Sequence, residues 1–343
     1  QPRRQRQMCI RDRFGREVNY LRVSVTDRCD FRCTYCMSEN MTFLPKKDIL
    51  SLEELETICN VFVKLGTKKI RLTGGEPLVR KGILNLIKNL GKKIGNGLDE
   101  LTLTTNGSQL QKYAEFLKEN GVNRVNVSLD HLDPSKFREI TRWGNLDIVL
   151  AGIEKAKSVG IKVKINTVAL KGFNEENIIE MIEWCSLNEY DMTLIEVMPM
   201  GDIGSENRFN QYLPLSDVKE RLSKKFNLTN IPKKTGGPAR YYKIEGKKID
   251  LGFITPLTHN FCETCNRVRL TCTGILYMCL GQDDNVDLKN ILRNKGSSFL
   301  EDSLFKAISK KPKGHDFNIS KSGINISSNL SLIHISEPTR LEP

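Results

Sequence analysis

A chain of 343 residues is longer than one typical domain and can bury a substantial core, which suits one large barrel or a barrel with an appendage. Fifty-three Lys and Arg against 41 Asp and Glu leave a net charge of +12, an excess that favours an anionic ligand. No stretch is apolar enough to span a bilayer or to serve as a signal peptide, so the ten cysteines point to metal sites in a reducing, cytoplasmic compartment rather than to disulfides.

In chain order, residues 1–13 come first and carry five arginines against Asp12, so they hold +4 of the charge. They and residues 328–343 lack the periodicity of their neighbours and read as translated linker or adapter rather than native termini. Cys9 is set aside with them. Between these ends, residues 14–211 alternate strand and helix patterns, and residues 212–327 form a mixed α+β region.

Residues 21–25, Leu-Arg-Val-Ser-Val, alternate apolar and polar as a strand does. The cysteines begin four residues later, so their loop hangs from a strand's C-terminal end, the edge that carries chemistry in barrel-like α/β folds. Cys29, Cys33 and Cys36 are spaced C-x3-C-x2-C. Three thiolates on a 4Fe-4S cube leave one iron with an open coordination position. A structural zinc knot asks for a closed four-ligand site, and no fourth Cys or His lies nearby.

Ser51 followed by Glu54 reads as a capping box opening a helix over 51–65. Further strands are expected at Lys69–Thr73, 101–105, 124–129, Lys162–Ala169 and 192–197, and a helix at 174–185. Right-handed crossovers wind six such βα units into a parallel sheet that curves into a partial barrel. After the second strand stands Thr73-Gly-Gly-Glu-Pro77: Gly74 and Gly75 permit close backbone approach and Glu76 offers a carboxylate to an ammonium group, although an ordinary strand-ending turn has the same composition. Alternation puts Lys162 and Lys164 opposite the apolar face of their strand, and a barrel interior lined with lysine implies an anion.

The C-terminal region shows short strands near Arg240–Ile244 and 249–254, terminal helices, and Phe261-Cys-Glu-Thr-Cys-Asn-Arg-Val-Arg-Leu270 followed by Cys279. Cys262, Cys265 and Cys279 form a second three-ligand set. Cys272 lies between them and completes a four-cysteine zinc ribbon as an alternative. Arg267 and Arg269, two apart on an extended segment, aim two guanidinium forks to one side, an arrangement for phosphate or carboxylate that a structural ribbon does not need.

The C-x3-C-x2-C loop with the aromatic Tyr35 resembles the signature of the radical S-adenosylmethionine superfamily. Together with the Thr73–Pro77 segment, Thr104-Thr-Asn-Gly107, Val127-Ser-Leu-Asp130 and the second cysteine set with its Asn-Arg-Val-Arg insertion, it is similar over residues 14–327 to the GTP 3′,8-cyclases of molybdenum cofactor biosynthesis. The resemblance implies an α/β partial (βα)6 barrel of TIM type with a C-terminal α+β region carrying a second cluster. It implies two 4Fe-4S clusters, one binding S-adenosylmethionine and the other the purine of GTP. A 5′-deoxyadenosyl radical then takes the ribose 3′ hydrogen, and C3′ bonds to C8 to give (8S)-3′,8-cyclo-7,8-dihydroguanosine 5′-triphosphate. By the same resemblance Tyr35, Gly74, Gly75, Glu76, Ser128 and Met198 line the cofactor site. Arg22, Lys69, Arg71, Thr104, Lys164, Arg267, Val268 and Arg269 surround GTP. Cys29, Cys33, Cys36, Cys262, Cys265 and Cys279 ligate iron. An external electron donor, a homodimer and a downstream cyclic pyranopterin monophosphate synthase are the partners so implied, with no membrane or nucleic acid.

Two positions depart from the family. Thr193 stands where many members carry an arginine for the triphosphate, and the chain ends Thr339-Arg-Leu-Glu-Pro343 where the family has a Gly-Gly tail that reaches the active site. No side chain is singled out as acid, base or nucleophile, because the cofactors carry the radical chemistry. His131 and His259 are expected to be core or solvated histidines, and Trp143 and Trp184 packing residues. Two alternatives stand beside this. A radical enzyme acting on a peptide or RNA calls for a longer cysteine array or an extended basic and aromatic surface. A zinc-stabilised nucleic-acid-binding protein calls for a basic stripe rather than a pocket.

Overall fold

The barrel strands form where the sequence alternates, and their parity decides what each face does. In the computed structural model, which describes residues 10–197, 210–233, 235–257, 262–280, 282, 284–315, 318–320 and 323–325, six strands follow one another in parallel: β1 (Tyr20–Ser24), β2 (Lys69–Thr73), β3 (Glu100–Thr105), β4 (Arg124–Ser128), β5 (Lys162–Ala169) and β6 (Asp191–Glu196). Leu21, Val23, Ile70, Leu72, Leu101, Leu103, Val125 and Val127 point one way into an apolar core and are buried. Arg22, Arg71, Thr102, Asn126 and Lys164 point the other way, into the concave face.

Between these strands lie α1 (Leu52–Lys64), α2 (Ile83–Gly91), α3 (Leu110–Glu119), α4 (Pro134–Thr141), α5 (Leu146–Ser158) and α6 (Ile178–Leu187). The α1 helix starts at the expected capping box: Ser51 Oγ accepts from the Glu54 N–H at 3.1 Å and Glu54 Oε2 accepts from the Ser51 N–H at 2.7 Å. Its buried stripe of Leu55, Ile58, Cys59, Phe62 and Val63 follows the helical repeat. The helix expected over 174–185 begins only at Ile178. Asn174 is taken up by a turn, its side chain accepting from the Leu170 N–H at 2.8 Å and donating to the Val168 and Asp130 carbonyls, which holds the chain out of helix.

The C-terminal region adds α7 (Leu215–Ser223), α8 (Leu288–Lys295) and α9 (Leu300–Ser309), and strands β7 (Leu228–Ile231), β8 (Arg240–Ile244), β9 (Asp250–Ile254), β10 (Arg267–Leu270), β11 (Ile275–Tyr277) and β12 (Asn285–Asp287). It continues the barrel sheet from both edges. β9 pairs parallel with β6 and is followed outward by antiparallel β8 and β7. β10 pairs parallel with β1 and is followed by antiparallel β11 and β12. A small antiparallel pair, β13 (Asn318–Ser320) and β14 (Gly323–Asn325), stands apart from this sheet.

Residues 10–13, set aside on sequence grounds with the leader, belong to the packed structure. Ile10 is 1% exposed in the main core, its carbonyl accepts from the Val18 N–H at 2.9 Å, and Asp12 is buried. Arginine-rich composition concealed the one apolar side chain that docks.

Candidate functional site

The first cysteine loop leaves β1 and is clamped from several sides. Cys33 O accepts from the N–H groups of Cys36 and Met37 at 2.9 and 3.1 Å, a turn that brings the last two thiols together. The Phe31 N–H and Asn106 Nδ2 both point at Cys29 Sγ, at 3.4 and 3.8 Å. Arg32 fixes the loop from within, donating to the carbonyls of Cys29 and Phe31 while its guanidinium stacks 4.1 Å from the Trp143 ring. Trp143 is thus a packing partner of the loop, though half-exposed.

The Gly-Gly-Glu turn seats against this loop. The N–H groups of Gly75 and Glu76 donate to Thr26 O and Arg28 O, both at 2.8 Å. A Cβ on Gly75 would lie 2.3 Å from Arg28 O, and one on Gly74 2.6 Å from Thr26 O. The close approach these glycines allow is therefore to the cysteine loop's own backbone. Glu76 is fully enclosed rather than open to an ammonium group. Its oxygens accept from Leu78 N at 3.0 Å, Thr105 Oγ1 at 2.8 Å and Asn106 N at 2.7 Å, and burial pushes its carboxyl up to about 8 against the pull of those bonds.

Arg142 also clasps the loop, donating to the carbonyls of Arg32 and Met37, both at 3.1 Å, and acidic groups stand on its other sides. Asp30 accepts from Asn106 Nδ2 at 2.7 Å and Ser108 Oγ at 2.6 Å. Tyr35 donates its phenol to Asp130 at 2.7 Å, and Asp130 also accepts from the Val168 N–H at 2.8 Å. Burial raises Asp130 to about 6. Cys29 and Cys33 are both raised, first by burial; Glu76 adds to the rise at Cys29 and the neighbouring cysteines to that at Cys33. Ser128 lies at the end of β4, half-buried. Met198 and His259 lie outside the described residues.

The concave face holds the cations in rows set by strand register. Arg269, Arg22 and Arg71 are lateral neighbours across β10, β1 and β2, and the row continues to Thr102. The next row is Arg267, Tyr20, Lys69 and Glu100. A third runs Thr104, Asn126, Lys164 and Asp191. Lys69 pairs with Glu100 at 2.6 Å. Among the described residues, Arg22 Nε, Arg71 Nε, Arg269 Nη1 and Thr104 Oγ1 are buried without a hydrogen-bond partner. Enclosed N–H groups of charged side chains without an acceptor are costly, and a phosphate or carboxylate among them removes that cost.

The electrostatics agree. Arg22 is held well below its ordinary value, by burial first and then by Arg269; Arg269 falls to about 10 through burial and Arg267. Burial raises the Tyr20 phenol, yet Arg71, Arg22, Lys69 and Arg267 together outweigh it and leave the group lowered. Lys164 comes down to about 7, chiefly by burial and then by Arg124 and Arg71. Its ammonium donates to the hydroxyl of Tyr241, a buried side chain reaching in from β8. Thr193 is fully enclosed beside Gly252, with its Oγ1 unpartnered among the described residues.

Strand parity corrects one assignment. Val268 sits between the two inward arginines and so turns its side chain into the apolar core, where it is 1% exposed. Only its backbone can face the concave side.

The second cysteine set is assembled from two segments. Cys262 and Cys265 precede β10, with the Cys265 N–H donating to Cys262 O at 3.1 Å, and Cys279 follows β11, antiparallel to it. Burial raises Cys265, but Arg267, Lys311, a backbone N–H and Arg269 more than reverse this and bring the thiol to about 7. The thiols of each set stand outside any disulfide and are coupled electrostatically to one another; three thiolates are a donor set that suits an iron-sulfur cluster, although among the described residues no three Cys, His, Asp or Glu side chains are gathered closely enough to hold a metal ion as they stand. Cys272 lies elsewhere, its carbonyl accepting from the Leu50 N–H at 2.7 Å and its thiol toward Arg80.

Sequence reasoning missed Tyr20, Tyr241, Arg16 and Lys311. Tyr20 was legible from parity alone, since it precedes Arg22 by two. Arg16 and Lys311 meet the second cysteine set across some two hundred and fifty and forty residues of chain respectively, and no local spacing marks either. His131 is a buried structural histidine, its Nδ1 accepting from the Asp133 N–H at 2.8 Å, and Trp184 packs on Tyr190.

A family model described as the radical SAM superfamily matches residues 23–185, and one described as Molybdenum Cofactor Synthesis C matches residues 190–317. A GTP 3′,8-cyclase of Rhizobium etli (strain CIAT 652) is 61% identical over 311 residues, covering 90% of this chain and 89% of that protein. That of Paracoccus denitrificans (strain Pd 1222) is 58% identical over 311 residues, covering 90% of each. Among solved structures, Streptococcus suis SuiB bound to S-adenosylmethionine superposes with a TM-score of 0.62 at 18% identity, over 85% of this chain and 68% of that one. At that identity the likeness speaks to the fold.

Proposed function

The chain belongs to the GTP 3′,8-cyclases of the radical S-adenosylmethionine superfamily, and from that premise we propose how its residues divide the reaction, the cyclisation of GTP in molybdenum cofactor biosynthesis. S-Adenosylmethionine and an iron-sulfur cluster are its cofactors. We assign the cluster that binds S-adenosylmethionine to Cys29, Cys33 and Cys36, and a second 4Fe-4S cluster, facing the guanine, to Cys262, Cys265 and Cys279. When bound, the first supplies the electron that cleaves S-adenosylmethionine to a 5′-deoxyadenosyl radical.

The protein's own residues do the rest. Arg32, Gly75 and Glu76 hold the first loop rigid, so the geometry of radical generation is preorganised. Tyr35, Ser128 and Met198 border the cofactor. Arg22, Arg71 and Arg269, with Arg267, Lys69 and Lys164, hold the triphosphate; Thr104 adds a hydroxyl and Val268 its backbone. The observation that carries this assignment is the row of three arginines on adjoining strands, each with a buried nitrogen lacking an acceptor among the described residues. An external one-electron donor, a homodimer and a cyclic pyranopterin monophosphate synthase taking the product onward complete the proposal. Among the described residues no helix is long and apolar enough to cross a membrane.

Anaerobic turnover of the reconstituted protein with reductant, S-adenosylmethionine and GTP tests this. The expected result is 5′-deoxyadenosine and a cyclised nucleotide, both dependent on GTP. Deoxyadenosine formed at the same rate without GTP, and no nucleotide product, contradicts it.

A further inference from the structure

Cys265 and Cys279 arrive on different strands, so their spacing depends on whatever ties the start of β10 to the end of β11. The tie is Lys311, which follows α9 and is 1% exposed. Its ammonium donates to Arg267 O at 2.9 Å, two residues beyond Cys265, and to Met278 O at 2.5 Å, immediately before Cys279. Cys262 is fastened in a similar way. Arg16, braced by Asp12 at 2.6 Å, donates to Cys262 O at 2.7 Å and to Lys313 O at 2.9 Å, and a Cβ on Gly314 would sit 3.6 Å from the Cys262 sulfur.

A lysine is a poor choice if packing were all that is required. Enclosing an ammonium costs several kcal/mol unless it is compensated, and two neutral carbonyls compensate it only in part. Among the described residues no carboxylate lies within ion-pair distance of Lys311; burial first, then Arg16 and Arg267, work against its charge and leave it lowered, and the groups that support the charge are Cys265 and Cys279. As thiolates they are the missing anions.

We infer that Lys311 is a positioning residue for the Cys262, Cys265 and Cys279 set, joining its two segments through Arg267 O and Met278 O and setting a fixed positive charge against the thiolates. That charge makes whatever cluster the thiolates hold easier to reduce, because potential follows net charge and hydrogen bonding around the sulfurs. The inference rests on the proposal that this set carries a second 4Fe-4S cluster.

The test uses the full chain with Cys29, Cys33 and Cys36 all changed to Ala, so that only the second cluster gives a signal. Iron and acid-labile sulfide are counted after anaerobic reconstitution, and the midpoint potential is read by EPR-monitored titration with and without Lys311→Met. The expected result is a retained cluster whose potential shifts downward in Lys311→Met and stays at the parent value in Lys311→Arg, a pattern that a purely mechanical tie does not produce. An unchanged potential and line shape in Lys311→Met overturns the inference and leaves the second cluster standing. Absence of iron and sulfide from the parent overturns the two-cluster proposal and the inference with it. If Lys311→Met fails to accumulate as soluble protein, Lys311→Gln, which keeps an N–H donor without the charge, is read by the same outcomes.

Discussion

Cys29, Cys33 and Cys36 lie on one short loop and look out on Asp30, Glu76 and Asp130, whereas Cys262, Cys265 and Cys279 are gathered from two segments and look out on Arg267, Arg269 and Lys311. The same donor chemistry stands in opposite fields. Asp30 and Asp130, rather than the enclosed Glu76, suit the first set to a ligand carrying an ammonium and a sulfonium, and the cation-lined set suits a triphosphate. Charge around the thiols, rather than their spacing, tells the two apart.

The hardest test of that division is to remove each set in turn. Cys33→Ala is expected to abolish 5′-deoxyadenosine formation outright. Cys279→Ala is expected to keep S-adenosylmethionine binding and lose all cyclised nucleotide, as read by product analysis. Cyclisation surviving in Cys279→Ala breaks the comparison. Next in size, Arg71→Met is expected to weaken GTP binding roughly 10- to 100-fold, the ~1.5–3 kcal/mol of a hydrogen bond to a charged group, with S-adenosylmethionine affinity unchanged in the same calorimeter. Equal losses for both ligands mean the two fields are not separate.

A smaller effect separates the loops mechanically. Gly75→Ala sets a Cβ 2.3 Å from Arg28 O, and overpacking of this kind costs ~1–3 kcal/mol. Lowered thermal stability and loss of iron from the first set alone are expected. Smallest is a proton. Lys164 titrates at about 7 in the folded protein against 10.5 ordinarily, so between those values the unfolded chain binds the extra proton, and the stability of the ligand-free protein rises with pH across that window. A phosphate beside Lys164 restores its charge, so GTP binding at pH 8 takes up to about one proton. Calorimetry in buffers of differing ionisation enthalpy reads the uptake, and Lys164→Met abolishes it.

Much of this was legible in the chain because alternation and capping are local. The strand expected at Lys162–Ala169 has those bounds, and the Ser51–Glu54 box opens α1 as read. The strand read as 21–25 begins one residue earlier, which brings in Tyr20, the aromatic among the cations. Parity also placed Arg267 and Arg269 on one face, and the same parity, carried one residue further, turns Val268 away. What spacing could not supply was convergence. Arg16 and Lys311 act through carbonyls of residues distant in sequence, and a carbonyl acceptor leaves no trace in residue type. Glu76 misled because a carboxylate's identity does not say whether its oxygens are already committed to neighbouring N–H and hydroxyl groups.

The most direct check on the cation rows is the affinity of the reconstituted protein for GTP, GDP, GMP and guanosine, measured by calorimetry at two salt concentrations. Affinity falling stepwise as phosphates are removed, and falling with salt for GTP but not for guanosine, is the predicted result. Guanosine binding as tightly as GTP at either salt concentration contradicts the assignment of Arg22, Arg71 and Arg269 to the triphosphate.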